Sequence, residues 1–496
     1  MDKHRAPIYE KMIAHHFQST ASFHVPGHKN GRGVYPEANA FFAGVMGIDF
    51  TEISGLDDLH RPSGAIKDAQ ELAAACFGAE ETLFLVGGST VGNLALITAL
   101  CGSDDILIVQ RNVHKSVLHG LMLAGAKAVF VSPRWDEDSH LATGACPEDI
   151  RRAIEAYPEA KGVLLTNPNY YGMGIDLAPI AGLLRSHGIP LIVDEAHGAH
   201  FGLHPGVPVS ALSCGADAVV QSTHKMLTAM TMGAMLHLQG ELVNRAEVKQ
   251  RLAMLQSSSP SYPIMASLDL ARLDAAVNGR SKIGTGLERI ARLRERILAL
   301  GCYKLVDRKA STTAFETLDP FKLTVSERTG TLDGFMLQEE LEKRGCFAEL
   351  ADAEHVLLVG SLASASEDYE RLYEALADIA ESRGLLFASE SEIKGGKRTR
   401  RDGNVWGSEF TGNLSEPVSF RMSKQRGEAV AVPIERALGL ISAEMIIPYP
   451  PGIPLLYPGE RLTQACIEEL ERLAECGARF QGATDEKLKY VYILAE

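Results

Sequence analysis

"PLIVDEAHGAHFGLHPGVPVSALSCGADAVVQSTHK" (residues 190–225) decides the fold. It contains two short runs, "PLIVDEA" (190–196) and "DAVVQST" (217–223), in which the apolar residues are continuous rather than alternating. Such a run reads as a strand buried on both faces, the kind a largely parallel sheet carries. The first run ends on Asp194 and the second leads into Lys225. In sheets of this kind ligands gather at the carboxyl ends of the strands. An acid and a lysine at two neighbouring strand ends therefore face one crevice.

The same pattern extends in both directions. Strands are expected at 82–88 ("TLFLVGG"), 105–110 ("DILIVQ"), 126–132 ("AKAVFVS"), 161–167 ("KGVLLTN") and 233–239 ("GAMLHLQ"). Between them lie segments of helical spacing: "AIKDAQELAAACFG" ending on Gly78, "STVGNLALITALCG" starting at Ser89 or Thr90, "HKSVLHGLMLAG", "PEDIRRAIEAYPEA" and "LAPIAGLLRSHG". Strands alternating with helices predict an α/β fold, a mostly parallel seven-stranded sheet with helices on both faces. A long helical region runs from near 265 to about 300. The expected organisation is a loop-rich N-terminal arm over 1–63 and a large sheet domain over 64–290. A smaller α/β domain over 291–385, a linker over 386–412 and a C-terminal domain over 413–496 follow. The Pro-rich stretch 448–458 cannot be a helix and reads as an extended loop.

The chain has 496 residues, 46% hydrophobic and 23% charged, a globular composition with length for several domains. A formal net charge of -14 argues against nucleic-acid binding, and the one basic cluster, "KGGKRTRR" (394–401), reads as a solvated loop. Eight cysteines are scattered singly, at Cys76, Cys101, Cys146, Cys214, Cys302, Cys346, Cys466 and Cys476, with no CxxC pair. That spacing predicts no metal site and suits the reduced thiols of a cytoplasmic protein. The N-terminus has no apolar signal segment, and no run is long enough to span a bilayer.

The dipeptide His-Lys occurs three times, at 28–29, 114–115 and 224–225. Only Lys225 follows a sheet strand with a serine, Ser222, three residues before it and a strand-end acid, Asp194, one strand earlier. Asp194 and Lys225 can be an ion pair and nothing more. The alternative is pyridoxal phosphate. That cofactor needs a lysine to hold its aldehyde and a carboxylate on the pyridine nitrogen. It also needs a phosphate cradle such as the start of a helix. "GGST" (87–90) opens a helix after a strand, though Gly-Ser there is also ordinary turn and cap chemistry. The order cradle, Asp, then Ser-x-x-Lys is more specific than any of its parts.

Several longer segments are distinctive: "SFHVPGHKNG", "LDDLHRPSGAI", "RNVHKSV", "VDEAHGAH", "STHKMLTAMT", "PSYPIMASLDLA" and "PYPPGIPLLYPGE". Together they resemble the Orn/Lys/Arg decarboxylase family, fold-type-I pyridoxal-phosphate enzymes, over almost the whole chain. The resemblance is to the short Gram-positive form, without the N-terminal wing domain of the long enzymes, which puts their decameric assembly in doubt here. It implies that Lys225 holds the cofactor and that Asp194 pairs with its ring nitrogen. His114 would stack on the ring, and Ser89, Thr90, Ser222 and His224 would surround the phosphate. His197 would lie near the ring hydroxyl, or "HGAH" holds two ordinary polar histidines. Asn167 and Tyr170 fall at a strand end facing the cofactor. Lys29 lies in a loop that either shapes the site of one subunit or is structural.

The resemblance further implies decarboxylation of a basic amino acid: arginine to agmatine first, then lysine to cadaverine or ornithine to putrescine, feeding polyamine synthesis. The proton returned to Cα would come from Lys225, His224 or His197. A homodimer with shared active sites is expected, with a higher oligomer open. Reading the distal cation needs a carboxylate. Asp57, Asp58, Glu444 and Glu460 are candidates, though each such acid is more often a solvated or capping one, and no selector is assigned among them. The alternatives are another reaction on the same fold (aminotransferase or aldolase-type) and a non-catalytic homologue. A nicotinamide enzyme is disfavoured, since no GxGxxG follows a strand.

Overall fold

The computed structural model describes residues 2–18, 21–309, 311–387, 414–420, 429–449, 452–475 and 477–495. The chain forms two compact units, with elements numbered along the sequence. The first comprises Met1–Gly102, Lys161–Asn167 and Leu177–Ile283. The second comprises Ser103–Ala160, Pro168–Asp176 and Gly284–Glu496.

In the first unit, helices α1 (Pro7–His16), α2 (Asn39–Met46) and α3 (Ala65–Phe77) precede β1 (Glu81–Leu85) and α4 (Gly88–Leu100). Then come β6 (Val163–Thr166), α7 (Ala178–Ser186), β8 (Leu191–Asp194), β9 (Ala218–Gln221), the single turn α8 (Thr223–Met226) and β10 (Ala234–Leu238). Helix α9 (Arg245–Leu255) and the start of α10 (Tyr262–Ala299) complete it. Its strands lie in the order β1-β10-β9-β8-β6. β6, β8 and β9 run parallel, and β10 is antiparallel to both its neighbours. Every residue of β8, β9 and β10 is buried, as continuous apolar runs require.

Helix α4 packs on β1, β9 and β10. Gly92 permits this approach: a Cβ there would lie 2.8 Å from Leu85 Cδ1 and 2.9 Å from Val220 Cγ1. The arm is not only loop. Helix α1 buries just Pro7, Ile8 and Met12, so its sequence carries little periodic signal. It is fixed from afar: Asp269 accepts the Ile8 N–H (2.9 Å), and the buried Arg272 guanidinium bonds the carbonyls of Lys3 and Arg5 and the carboxylate of Asp269.

The second unit carries β2 (Ile106–Gln110), α5 (Lys115–Ala124) and β3 (Lys127–Val131), followed by the hairpin β4 (Pro133–Asp136) and β5 (Leu141–Ala145), α6 (Pro147–Ala156) and β7 (Met173–Gly174). β2 and β3 are parallel. A four-stranded antiparallel sheet holds β11 (Tyr303–Leu305), β13 (Lys322–Glu327), β15 (Val356–Val359) and β14 (Leu350–Ala351); β12 (Thr317–Leu318) pairs with β7 instead. Helices α11 (Gly334–Lys343) and α12 (Ser366–Ser382) accompany this sheet. β16 (Val418–Ser419) runs antiparallel along β3.

The C-terminal segment closes a core of its own around Ile434, Ile446, Leu456, Leu470 and Val491. It contains β17 (Ala429–Pro433), β18 (Ile447–Tyr449), α13 (Gln464–Glu475), β19 (Arg479–Gln481) and β20 (Tyr490–Leu494).

All seven expected sheet strands are present, as β1, β2, β3, β6, β8, β9 and β10. β16 adds an eighth to the count; two residues carry no periodicity to read. Most of the expected linker, 388–412, and with it the basic cluster, lies outside the described residues. So does Cys476.

Candidate active site

The parallel register of the first unit aligns Thr166, Asp194 and Val220 in one row at the carboxyl ends of β6, β8 and β9. Asp194 is 3% exposed. Its Oδ2 accepts from Asn93 Nδ2 of α4 (2.8 Å) and its Oδ1 from the Ala196 N–H (3.1 Å). Burial pushes this carboxyl above its ordinary range; the Asn93 bond, the nearby Lys225 charge and the Ala196 N–H oppose the rise. These partners favour the ionised form, while desolvation favours the neutral one.

Lys225 sits in α8, the turn that follows β9, with its Nζ 3.0 Å from Nε2 of the buried His197. With Nζ as donor, His197 carries its proton on Nδ1. Ser222, fully buried, donates to Ser89 Oγ (2.8 Å). Ser89 and Thr90 lie in the first turn of α4, which no side chain caps. Gly88, at φ +73°, starts that turn and donates its N–H to Met232 O (2.9 Å). His224 is oriented by a contact of its Nδ1 with Gly233 O (3.0 Å). Asn167 donates its backbone N–H to Asp194 O (3.1 Å), which ties the β6 end to the β8 end.

Eight of the expected site residues, Ser89, Thr90, Asn167, Asp194, His197, Ser222, His224 and Lys225, thus fall in the first unit. His114 belongs to the second, where it caps α5: its Nδ1 accepts the Ser116 N–H (3.2 Å) and lies 2.8 Å from Ser116 Oγ. Tyr170 is also in the second unit, packed against a cluster that includes Tyr171, Met173 and Phe315.

Three of the four acids offered as readers of a distal cation are committed elsewhere. Asp57 accepts the N–H groups of Ser63, Gly64 and Ile66 at the start of α3. Glu444 accepts those of Thr484 and Tyr492. Glu460 is paired with Arg111. Asp58 accepts the His60 N–H with one oxygen.

Two features escaped the sequence reading. Asn93, which orients Asp194, stands in an apolar helix where a lone polar residue gives no signal; its spacing of four from Ser89, on the sheet-facing side, is the available clue. Glu195 points to the other face of the sheet from Asp194, by strand alternation. It accepts from Gln221 Nε2 (2.7 Å) and the Ala211 N–H (2.8 Å), and burial pushes its carboxyl up to about 8. Gln221 Oε1 in turn meets His237 Nε2 (3.1 Å), and His237 Nδ1 meets Thr82 Oγ1 (2.8 Å). Burial brings His237 down to about 3. This polar chain braces β1, β8, β9 and β10 beneath the site.

The donor set fits pyridoxal phosphate. An uncapped helix start beside the Ser89–Ser222 hydroxyl pair suits a phosphate, and a buried carboxylate suits a protonated pyridine nitrogen. Thr166 Oγ1, in the row of Asp194, is buried without a hydrogen-bond partner. No group of three His, Cys, Asp or Glu side chains among the described residues is placed to hold a metal ion. Among them, no helix is long and apolar enough to cross a membrane.

The family model for the major domain of Orn/Lys/Arg decarboxylases matches residues 6–368, and that for the C-terminal domain of the same family matches 413–488. The Bacillus subtilis (strain 168) protein named "Uncharacterized protein YaaO" is 42% identical, over 99% of this chain and 98% of its own. The arginine decarboxylase of the same strain is 34% identical, over 100% of this chain and 99% of its own. Among solved structures, the constitutive lysine decarboxylase of Escherichia coli superposes with a TM-score of 0.79 at 22% identity, over 100% of this chain and 82% of that one. The fold is thus the α/β fold of type-I pyridoxal-phosphate enzymes. The chain belongs to the Orn/Lys/Arg decarboxylase family, whose members are pyridoxal-phosphate enzymes that decarboxylate basic amino acids.

Proposed function

We propose that this enzyme converts arginine to agmatine, with lysine to cadaverine or ornithine to putrescine as the alternative reactions, and that it supplies polyamine synthesis in the cytoplasm. The preference is supported by full-length relatives named arginine decarboxylase at 32–34% identity. The observation that carries the site assignment is the pair of strand-end groups, a buried Asp194 oriented by Asn93 and a Lys225 in contact with His197.

Pyridoxal phosphate, when bound, supplies the electron sink that takes up the bonding pair as CO2 leaves Cα. Lys225 would hold the cofactor through its aldehyde. Asp194 keeps a proton on the pyridine nitrogen, its own ionised form maintained by Asn93 and the Ala196 N–H. Ser89, Thr90, Ser222 and His224 would hold the phosphate at the start of α4. His114 would be the residue that packs on the ring, and Asn167 and His197 would serve it from the ends of β6 and β8. His197 and Lys225, in contact through Nζ and Nε2, hold the proton that Cα takes up after CO2 departs; His224 is the other histidine beside the lysine.

A homodimer with shared sites is part of the same reading. It is supported by the N-terminal arm, where Phe23, Tyr35 and Phe41 are 94%, 71% and 84% exposed and α2 buries none of its residues. An apolar surface of that kind marks an interface. Sedimentation as a dimer of a 53.6 kDa chain supports it, and a monomer at assay concentration contradicts it. The roles are tested by Lys225→Ala. It is expected to lose the visible absorbance of the bound cofactor and all measurable CO2 release while still folding. Full activity in this variant would refute the assignment.

A further inference from the structure

The C-terminal segment reaches the loop that carries His114 from two sides. Arg111, three residues before His114, is buried at the end of β2. Its Nη2 bonds both oxygens of Glu460 (2.8 and 3.0 Å) and Leu455 O (3.0 Å), while Nη1 bonds Pro454 O (3.1 Å). The guanidinium also lies 4.0 Å from the centre of the Tyr457 ring. Lys115, one residue after His114, donates to Gln481 Oε1 of β19 (2.7 Å).

Stability alone does not account for this arrangement. Burying an arginine and a glutamate costs desolvation that apolar side chains of the same volume would avoid. What a planar guanidinium held by a carboxylate, two carbonyls and a ring face adds is fixed orientation. The element so oriented is a short loop, which would otherwise be among the more mobile parts of the chain.

We propose that Arg111, Glu460, Lys115 and Gln481 are positioning residues, through which the C-terminal segment holds His114 in the orientation that receives the cofactor. The inference rests on the reading of His114 as the residue that packs on the ring. It gives the C-terminal segment a part in the chemistry without any of its side chains touching the reacting atoms.

The test uses the full-length holoenzyme and reads two signals besides turnover: the induced circular dichroism of the bound cofactor and its dissociation constant. Glu460→Gln keeps the volume and removes the charge; Lys115→Met loosens the other side without touching the buried pair. His114→Ala removes the positioned residue. Glu469→Gln, which breaks an ion pair with Arg472 within α13, serves as a control for loss of C-terminal stability.

Glu460→Gln and Lys115→Met are each expected to reduce the induced dichroism and weaken cofactor binding by roughly tenfold, with kcat falling more than KM changes. In the His114→Ala background, Glu460→Gln is expected to add less than about twofold, as coupled residues do. Effects that simply add, or a Glu460→Gln signal equal to that of the Glu469→Gln control, would overturn the proposal and leave the ring-packing role of His114 intact. An unchanged dichroism in His114→Ala would overturn both.

Discussion

At Asp194 the site depends on keeping a charge that burial opposes. Burial raises the carboxyl, and Asn93, Lys225 and the Ala196 N–H bring it back toward ionisation. Asn93→Ala removes the strongest of these partners. A hydrogen bond to a charged group is worth about 1.5–3 kcal/mol, so kcat should fall by roughly tenfold or more. The carboxyl then rises further, and activity should be lost at a higher pH on the acid side. A pH–rate profile with an unmoved acid limb would contradict this role for Asn93.

His237 gives a second pH effect, on stability. The folded protein holds His237 at about 3, below the ordinary 6.5. Above the ordinary value neither form binds the proton, and the stabilising contribution of the neutral ring is whole. As pH falls, the unfolded chain takes up a proton that the folded one refuses, so stability declines until the folded pKa is passed. Denaturant unfolding at pH 7 and pH 5 should show a smaller difference for His237→Gln than for the parent. Equal differences would show that His237 does not set this pH dependence.

Among the elements, α4 carries the greatest burden, since its first turn and Asn93 both depend on how close it lies to the sheet. Gly92→Ala places a Cβ within 3 Å of Leu85 and Val220. Overpacking of this kind costs about 1–3 kcal/mol. The variant should unfold at lower denaturant and bind the cofactor more weakly, and an unchanged cofactor affinity would show that the helix start is not the cradle.

The strands that place Asp194 and Lys225 were legible because residues buried on both faces must be apolar without interruption, and such runs need no tertiary information to read. Helix α1 was not legible. It buries three side chains, and what fixes it is Asp269, some 260 residues away. β16 is too short for any pattern. The acids Asp57, Glu444 and Glu460 looked equally available in the sequence. Only the fold reveals the backbone N–H groups and the arginine that already occupy them. Asn93 was missed for the opposite reason: the carboxylate it donates to lies on another element, and nothing in the apolar pattern of its own helix calls for an amide.

Across the whole molecule, the expected site residues are divided between the two units. The first holds the acid, the lysine and the helix start. The second holds His114 on a loop secured by the C-terminal segment. Family membership rests on matches along nearly the full chain, so both belong to the same enzyme.

The most direct test is CO2 release by the purified enzyme with arginine, lysine and ornithine, with the products identified. Stoichiometric CO2 and agmatine are expected from arginine, with a kcat/KM for arginine above those for lysine and ornithine and no release by Lys225→Ala. A keto acid formed without CO2, or no turnover of any basic amino acid by the cofactor-loaded enzyme, would contradict the proposed decarboxylation.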